Sequence, residues 1–143
     1  MTRPGAIARF EGLWLASTLA WLAGAAMSWG ERRRMIAGNP ALAGYEWLVP
    51  AGFALVLAIS LALWWMAAHR RQLMARTAVA GIAVLSAIVI AMTVIGMLTG
   101  RALSLPTNLL QFVSSGLGIA AAVSLFRPEA SRWYGVPVGE GRA

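Results

Sequence analysis

Cysteine, aspartate and lysine are all absent from the 143 residues, and histidine occurs once, at position 69. Without cysteine there is no disulfide framework, no thiolate metal site and no thiol nucleophile, and the redox compartment is left open. One histidine with neither cysteine nor aspartate excludes the common zinc sites and a bis-histidine haem within one chain. A serine nucleophile needs a base, and His69 lies in a basic stretch, HRR, with no carboxylate near it in sequence. The acids are Glu11, Glu31, Glu46, Glu129 and Glu140, too scattered to suggest a carboxylate pair. No phosphate-cradling glycine motif is present either, because the GLG of residues 116–118 lies inside an apolar run. These absences argue against an enzyme and against a cofactor or metal, and no catalytic residue is assigned.

Charge is scarce as well. Charged residues make up 12% of the chain and hydrophobic ones 59%, with a mean hydropathy of +0.70. Soluble domains carry about 25% charged and roughly 45–50% apolar residues, so the class is integral membrane protein. The net charge is +7, and every basic residue behind it is arginine, twelve against five glutamates. Those arginines cluster at the ends of apolar runs, where they read as anchors facing anionic headgroups and not as a nucleic-acid surface.

The expected architecture is an all-α integral membrane protein, a four-helix transmembrane bundle with short loops forming a single membrane domain over residues 1–143. The apolar runs lie at about 10–29, 48–68, 77–98 and 106–126, each near the roughly 20 residues needed to cross a hydrocarbon core. The first run also fits a secretory signal peptide, with Arg3 and Arg9 before it and Ala23, Gly24, Ala25 and Ala26 near its end, although it is long for that role. In it Gly12, Ala16, Ala20, Gly24 and Ser28 recur every four residues and predict a smooth packing face, with Trp14 and Trp21 largely on the other side. Ala54, Ala58 and Ala62 offer a similar face on the second run.

Residues 30–46, GERRRMIAGNPALAGYE, predict a hydrophilic connection with turn chemistry at Gly38, Asn39, Pro40 and Gly44. His69 to Arg76 predicts a short link, hence an antiparallel hairpin. Ser86 and Thr93 in the third run can bond back to their own helix carbonyls. Arg32, Arg33, Arg34, Arg70, Arg71 and Arg76 are the candidate headgroup-binding residues. Residues 127–143 read as a cytoplasmic tail, interfacial around Trp133 and Tyr134 and then disordered.

Orientation follows from arginine placement. With the N-terminus inside, Arg3, Arg9, Arg70, Arg71, Arg76, Arg127, Arg132 and Arg142 face the cytoplasm, against Arg32, Arg33, Arg34 and Arg101 outside. This predicts a multi-pass protein of the cytoplasmic (inner) membrane with both termini cytoplasmic.

The fourth run is the one that carries carboxamides. Asn108, Gln111, Ser115, Gly118 and Ala122 fall on one helical face, and an amide in hydrocarbon must find a partner or water. Asn108, Gln111 and Ser115 are therefore the candidate polar contact or pocket. Glu11, at the membrane edge, is the one ionisable candidate for coupled transport, with an ordinary interfacial glutamate as the plainer reading. The function expected is a non-catalytic accessory or interaction subunit of a membrane complex, with the lipid bilayer and a membrane-protein partner or a second copy as its contacts. A small self-associating transporter or channel is the alternative, and a lipid-modifying enzyme a more distant one.

Overall fold

A computed structural model describes residues 4–40, 44–100 and 104–136, and all its regular elements are helices. They are α1 (Gly5–Ala37), α2 (Leu48–Ala68), α3 (Leu73–Leu98), α4 (Leu105–Leu125) and the short α5 (Pro128–Trp133). Three are long and apolar enough to cross a membrane: α2, α3 and α4, with mean hydropathies of 2.1, 2.6 and 1.4. The chain is thus an all-α membrane bundle. Helix α1 is longer than any of them, but Glu11, glycines, tryptophans and the hydroxyls of Ser17, Thr18 and Ser28 dilute its apolar run.

Helix α1 does not stop near Trp29, where the sequence suggested a connection. It continues through the arginine triplet to Ala37. Glu31, the arginines, Met35 and Ala37 are good helix formers. Arg32 Nε also donates to Ser28 Oγ at 3.0 Å and Arg34 Nε to the Gly30 carbonyl at 3.3 Å, each tying the chain to the preceding turn. The helix ends only at Gly38, whose N–H bonds to the Arg34 carbonyl at 2.9 Å. Among the described residues the chain turns at Gly38, at Gly44, which has a φ of +87°, and at Glu46 and Trp47.

Helix α4 is the central stave. Of its most apolar stretch 44% is buried, against 11% for α2 and 6% for α3. It packs along α1 on one side and against α3 on the other, while α2 lies on α1. The most polar span is thus the innermost, and the greasier helices face outward, as expected where lipid and not water surrounds the bundle.

The dry core gathers at one end. Ile7, Phe10 and Trp14 of α1 meet Leu63 and Ala67 of α2, Val79 of α3, Ala121 and Leu125 of α4, and Ala130 of α5. This end, which carries the start of α1 and the α2–α3 link, is called the closed end below. There Arg71 takes the left-handed conformation, φ 52°, that reverses the chain between α2 and α3.

The packing face of α1 differs from the small-residue stripe. Gly12 and Ala16 are exposed, whereas Ile7, Phe10, Trp14, Thr18, Ala25 and Ser28 turn inward. Near the closed end α1 must fill space between several helices, which large side chains do and glycine cannot. Small residues matter only where α1 and α4 come closest. A Cβ at Gly24 would lie 3.5 Å from Leu110 Cβ, and one at Gly118 would lie 3.3 Å from Ser17 Oγ. On α2, Ala54, Ala58 and Ala62 are likewise exposed, and Leu63 and Ala67 are buried instead.

Candidate functional site: a cleft among four helices

Away from the closed end, α2 and α3 stand on either side of a cleft of about 460 Å³. Its floor is α1 and α4, which contribute Trp14, Ser17, Thr18 and Trp21, and Gln111, Ser114, Ser115 and Gly118. Its walls are Val56, Ile59 and Ser60 of α2 and Ile82, Leu85, Ser86 and Val89 of α3.

Most polar groups of the floor bond to one another. Ser17 Oγ donates to the Ser114 carbonyl at 2.8 Å, and Ser114 Oγ donates to the Ser17 carbonyl at 3.0 Å. Thr18 Oγ1 donates to the Trp14 carbonyl at 2.9 Å and lies 2.9 Å from Ser60 Oγ. Trp14 Nε1 donates to the Ser60 carbonyl at 3.0 Å, and Gln111 Nε2 to Ser115 Oγ at 3.1 Å. The bonds between helices fasten α1 to α4 and α2, and with most of its polar groups so engaged the cleft offers mainly apolar surface.

The predicted polar trio is divided. Gln111 and Ser115 line the cleft, whereas Asn108, 4% exposed, lies outside its lining. Ser114, Ser17, Thr18 and Ser60 escaped the sequence reading. Their signal was present, since each is a hydroxyl in an otherwise apolar run and must find a partner there. Ser86 lines the cleft, and Thr93 bonds back to the Val89 carbonyl at 2.8 Å.

A second groove of about 510 Å³ adjoins the cleft, sharing Trp21 and Val56 with it, and runs between α1 and α2 toward the end opposite the closed one. Arg32, Met35, Ile36, Val49, Gly52 and Phe53 complete its lining. Arg32 lies over the Phe53 ring, 5.7 Å from its centroid, and Phe53 meets Trp21 edge-on and lies 5.8 Å from Trp29. Arg33 pairs with Glu46 at 3.2 Å, and Arg34 folds back on its own helix.

The remaining arginine candidates sit at the closed end. Arg70 is exposed. Arg71 stacks over Trp133 at 3.7 Å. Arg76 is 8% exposed, donates to Ser131 Oγ at 3.1 Å, and lies 4.4 Å from the Phe126 centroid and 5.6 Å from that of Tyr134. Tyr134 in turn donates to the Ala67 carbonyl at 2.6 Å, so side chains of α5 and the turn after it strap it to the ends of α2 and α3, while the helix itself packs on α1 and α4. Burial pushes the Tyr134 phenol up from 10.0 to about 12, against the opposing pull of Arg76. Glu11 Oε1 lies 3.9 Å from Nδ1 of His69, which stacks on Trp65 at 4.3 Å, outside the cleft. Residues 137–143 of the expected tail lie outside the described residues.

No group of three or more potential metal ligands occurs among the described residues. Comparison with protein-family models, with curated proteins and with solved structures finds no match. Fold and cleft together define a class: a small helical membrane protein whose central, hydroxyl-rich helix borders a side-opening crevice.

Proposed function

We propose that this chain is a non-catalytic interaction subunit of a cytoplasmic-membrane complex, acting by binding and contact. The observation that carries the reading is the chemistry of the cleft. It is lined by hydroxyls, a carboxamide and apolar side chains, with no acid, base or metal ligand among its residues. Such a set can hold a neighbour but has no means to break a bond or to carry a proton.

In this reading α1 is the fourth span. It lies along α4 through the Ser17–Ser114 bonds and the Gly24–Leu110 approach, and so occupies the same slab of membrane. Both termini are cytoplasmic by the arginine bias. A reporter fused after Ala143 should be active only in the cytoplasm, and activity solely outside would overturn the orientation.

The test of the function is gentle extraction in native lipid followed by mass spectrometry of everything that co-purifies. A stoichiometric unlike subunit is the expected result, and a clean monomer sinks the reading. The second reading, a self-associating transporter, is favoured by the placement of Gln111 and Ser115 on the cleft. It requires the purified protein alone to move a solute in liposomes, and Gln111→Leu to impair that movement without lowering yield.

A further inference from the structure

The geometry points to a lipid site: we propose that Arg32 and the cleft together hold one acyl chain and the headgroup of an anionic phospholipid. The inference deepens the binding role proposed above and rests on reading the cleft as a binding surface.

The argument begins with depth. Trp14 lies at the far end of the cleft and Arg32 at the mouth of the adjoining groove, 18 positions apart on one continuous helix. At 1.5 Å per residue they are separated by about 27 Å, close to the roughly 30 Å of a hydrocarbon core. Arg32 therefore stands at headgroup level when the cleft lies among the tails. The two cavities share Trp21 and Val56 in their linings, and Trp21 lies 11 positions, about 17 Å, along α1 from Arg32, so a chain about one leaflet long can descend from the arginine between α1 and α2 to the near end of the cleft.

Chemistry selects the occupant. The hydroxyls of the cleft floor are largely engaged with one another, so a solute rich in hydrogen-bonding groups would find few to use, while methylenes lose nothing. A volume of about 460 Å³ suits one hydrocarbon tail better than a helix, which measures about 10–12 Å across with its side chains.

The mouth supplies the charge. Arg32 is held by Ser28 Oγ on one side and the Phe53 ring on the other, and among the described residues no carboxylate lies within ion-pair distance of it. Arg33 is occupied by Glu46, so Arg32 is the guanidinium of the triplet aimed at the groove. A fixed guanidinium matches a phosphate oxygen pair, whereas a zwitterionic headgroup gains less because its own cation accompanies the phosphate.

The experiment uses the full chain in nanodiscs made from equal parts phosphatidylglycerol and phosphatidylcholine, released into native mass spectrometry. The chain should retain one phosphatidylglycerol in preference to phosphatidylcholine. Arg32→Gln should cut that retention about tenfold, the expected loss for a charge-assisted contact. Arg33→Gln should leave it unchanged. Val56→Trp, which plugs the junction of the two cavities, should abolish retention of either lipid. If that variant fails to fold, Arg32→Gln decides the matter alone, with its monodispersity as the check. Equal retention of the two lipids, or unchanged retention in Arg32→Gln, overturns the proposal. So does crosslinking from position 56 that captures a second copy or a partner helix and no lipid. Co-purification of an unlike subunit is scored separately, so the lipid site can fail while the interaction role stands.

Discussion

Ser17 and Ser114 exchange hydrogen bonds across the α1–α4 contact, each hydroxyl donating to the other residue's main-chain carbonyl, at 2.8 and 3.0 Å. Neither serine spends its proton on its own helix, so the pair acts as a two-pronged clasp at mid-bundle. Hydrogen bonds between membrane helices are worth about 0.6 kcal/mol on average and up to about 1.7. Ser17→Ala and Ser114→Ala should each destabilise the bundle by about that average. The two hydroxyl oxygens also lie 3.5 Å apart, so the losses should be coupled in a double-mutant cycle read by detergent unfolding. An additive cycle would show that the two bonds act independently.

Gly118 tests the same contact sterically. A Cβ there would meet Ser17 Oγ at 3.3 Å, tighter than ordinary packing, yet that oxygen belongs to a small rotatable side chain. Gly118→Ala should therefore cost stability by displacing the Ser17 hydroxyl from its bond. In the Ser17→Ala background the same substitution should cost less, because the obstructing oxygen is gone. Gly118→Leu has no such escape and should separate α1 from α4, with a loss of about 1–3 kcal/mol or more. Equal cost of Gly118→Ala in both backgrounds would contradict this account.

The difference between stripe and seam explains how far the sequence could be read. Spans are legible because bilayer thickness imposes a length of apolar residues that few other structures share, and α2, α3 and α4 show it plainly. The amide-bearing run stood out for the same reason, since polar groups in lipid must be satisfied, and α4 is indeed the most buried stave. Which face of α1 packs was not legible. Small residues are so abundant in it that a four-residue stripe forms on an exposed side at Gly12 and Ala16. The true seam carries Phe10, Trp14 and Thr18, and only the position of the neighbouring helices reveals it. The surroundings of Arg76 were not legible for a similar reason. An arginine in a basic link beside a membrane face reads as a headgroup-binding candidate, but the chain around α5 folds back and covers it with Phe126, Tyr134 and Ser131, a contact 55 positions away for Ser131.

Substitution along α1 should follow the observed face. No atom lies within 4 Å of a Cβ built on Gly12, so Gly12→Leu should be tolerated, and Gly12→Ala should add up to about 1 kcal/mol of helix stability. Ala25 is 8% exposed and borders a gap of only about 20 Å³, so Ala25→Leu should overpack and cost about 1–3 kcal/mol. Thermal unfolding in detergent of the variants, compared side by side, distinguishes the two faces. A larger loss at position 12 than at position 25 would reinstate the small-residue stripe as the packing surface.

The strap at the closed end has a pH signature. Burial raises the folded-state pKa of Tyr134 to about 12 from an ordinary value of 10.0. The folded state then holds the phenolic proton over a range in which the unfolded state releases it, so folding stability is fully present below about pH 10 and falls as the pH climbs toward about 12. Loss of that proton also removes the 2.6 Å bond to the Ala67 carbonyl and places a phenolate oxygen against it. Tyr45 is the one other tyrosine, so phenolate absorbance in a Tyr45→Phe background reports Tyr134 alone. Its titration should lie well above 10, and hydrogen exchange of the α5 amides should accelerate over the same range. Tyr134→Phe should lose about 1 kcal/mol at neutral pH and should abolish the alkaline acceleration. Arg76→Ala should cost more, because the guanidinium faces two rings and the Ser131 hydroxyl while buried, a setting in which a cation–π contact is worth about 2 kcal/mol. If the Tyr134 phenol titrated near 10 and α5 exchange did not change with pH, the strap would not be buried as described.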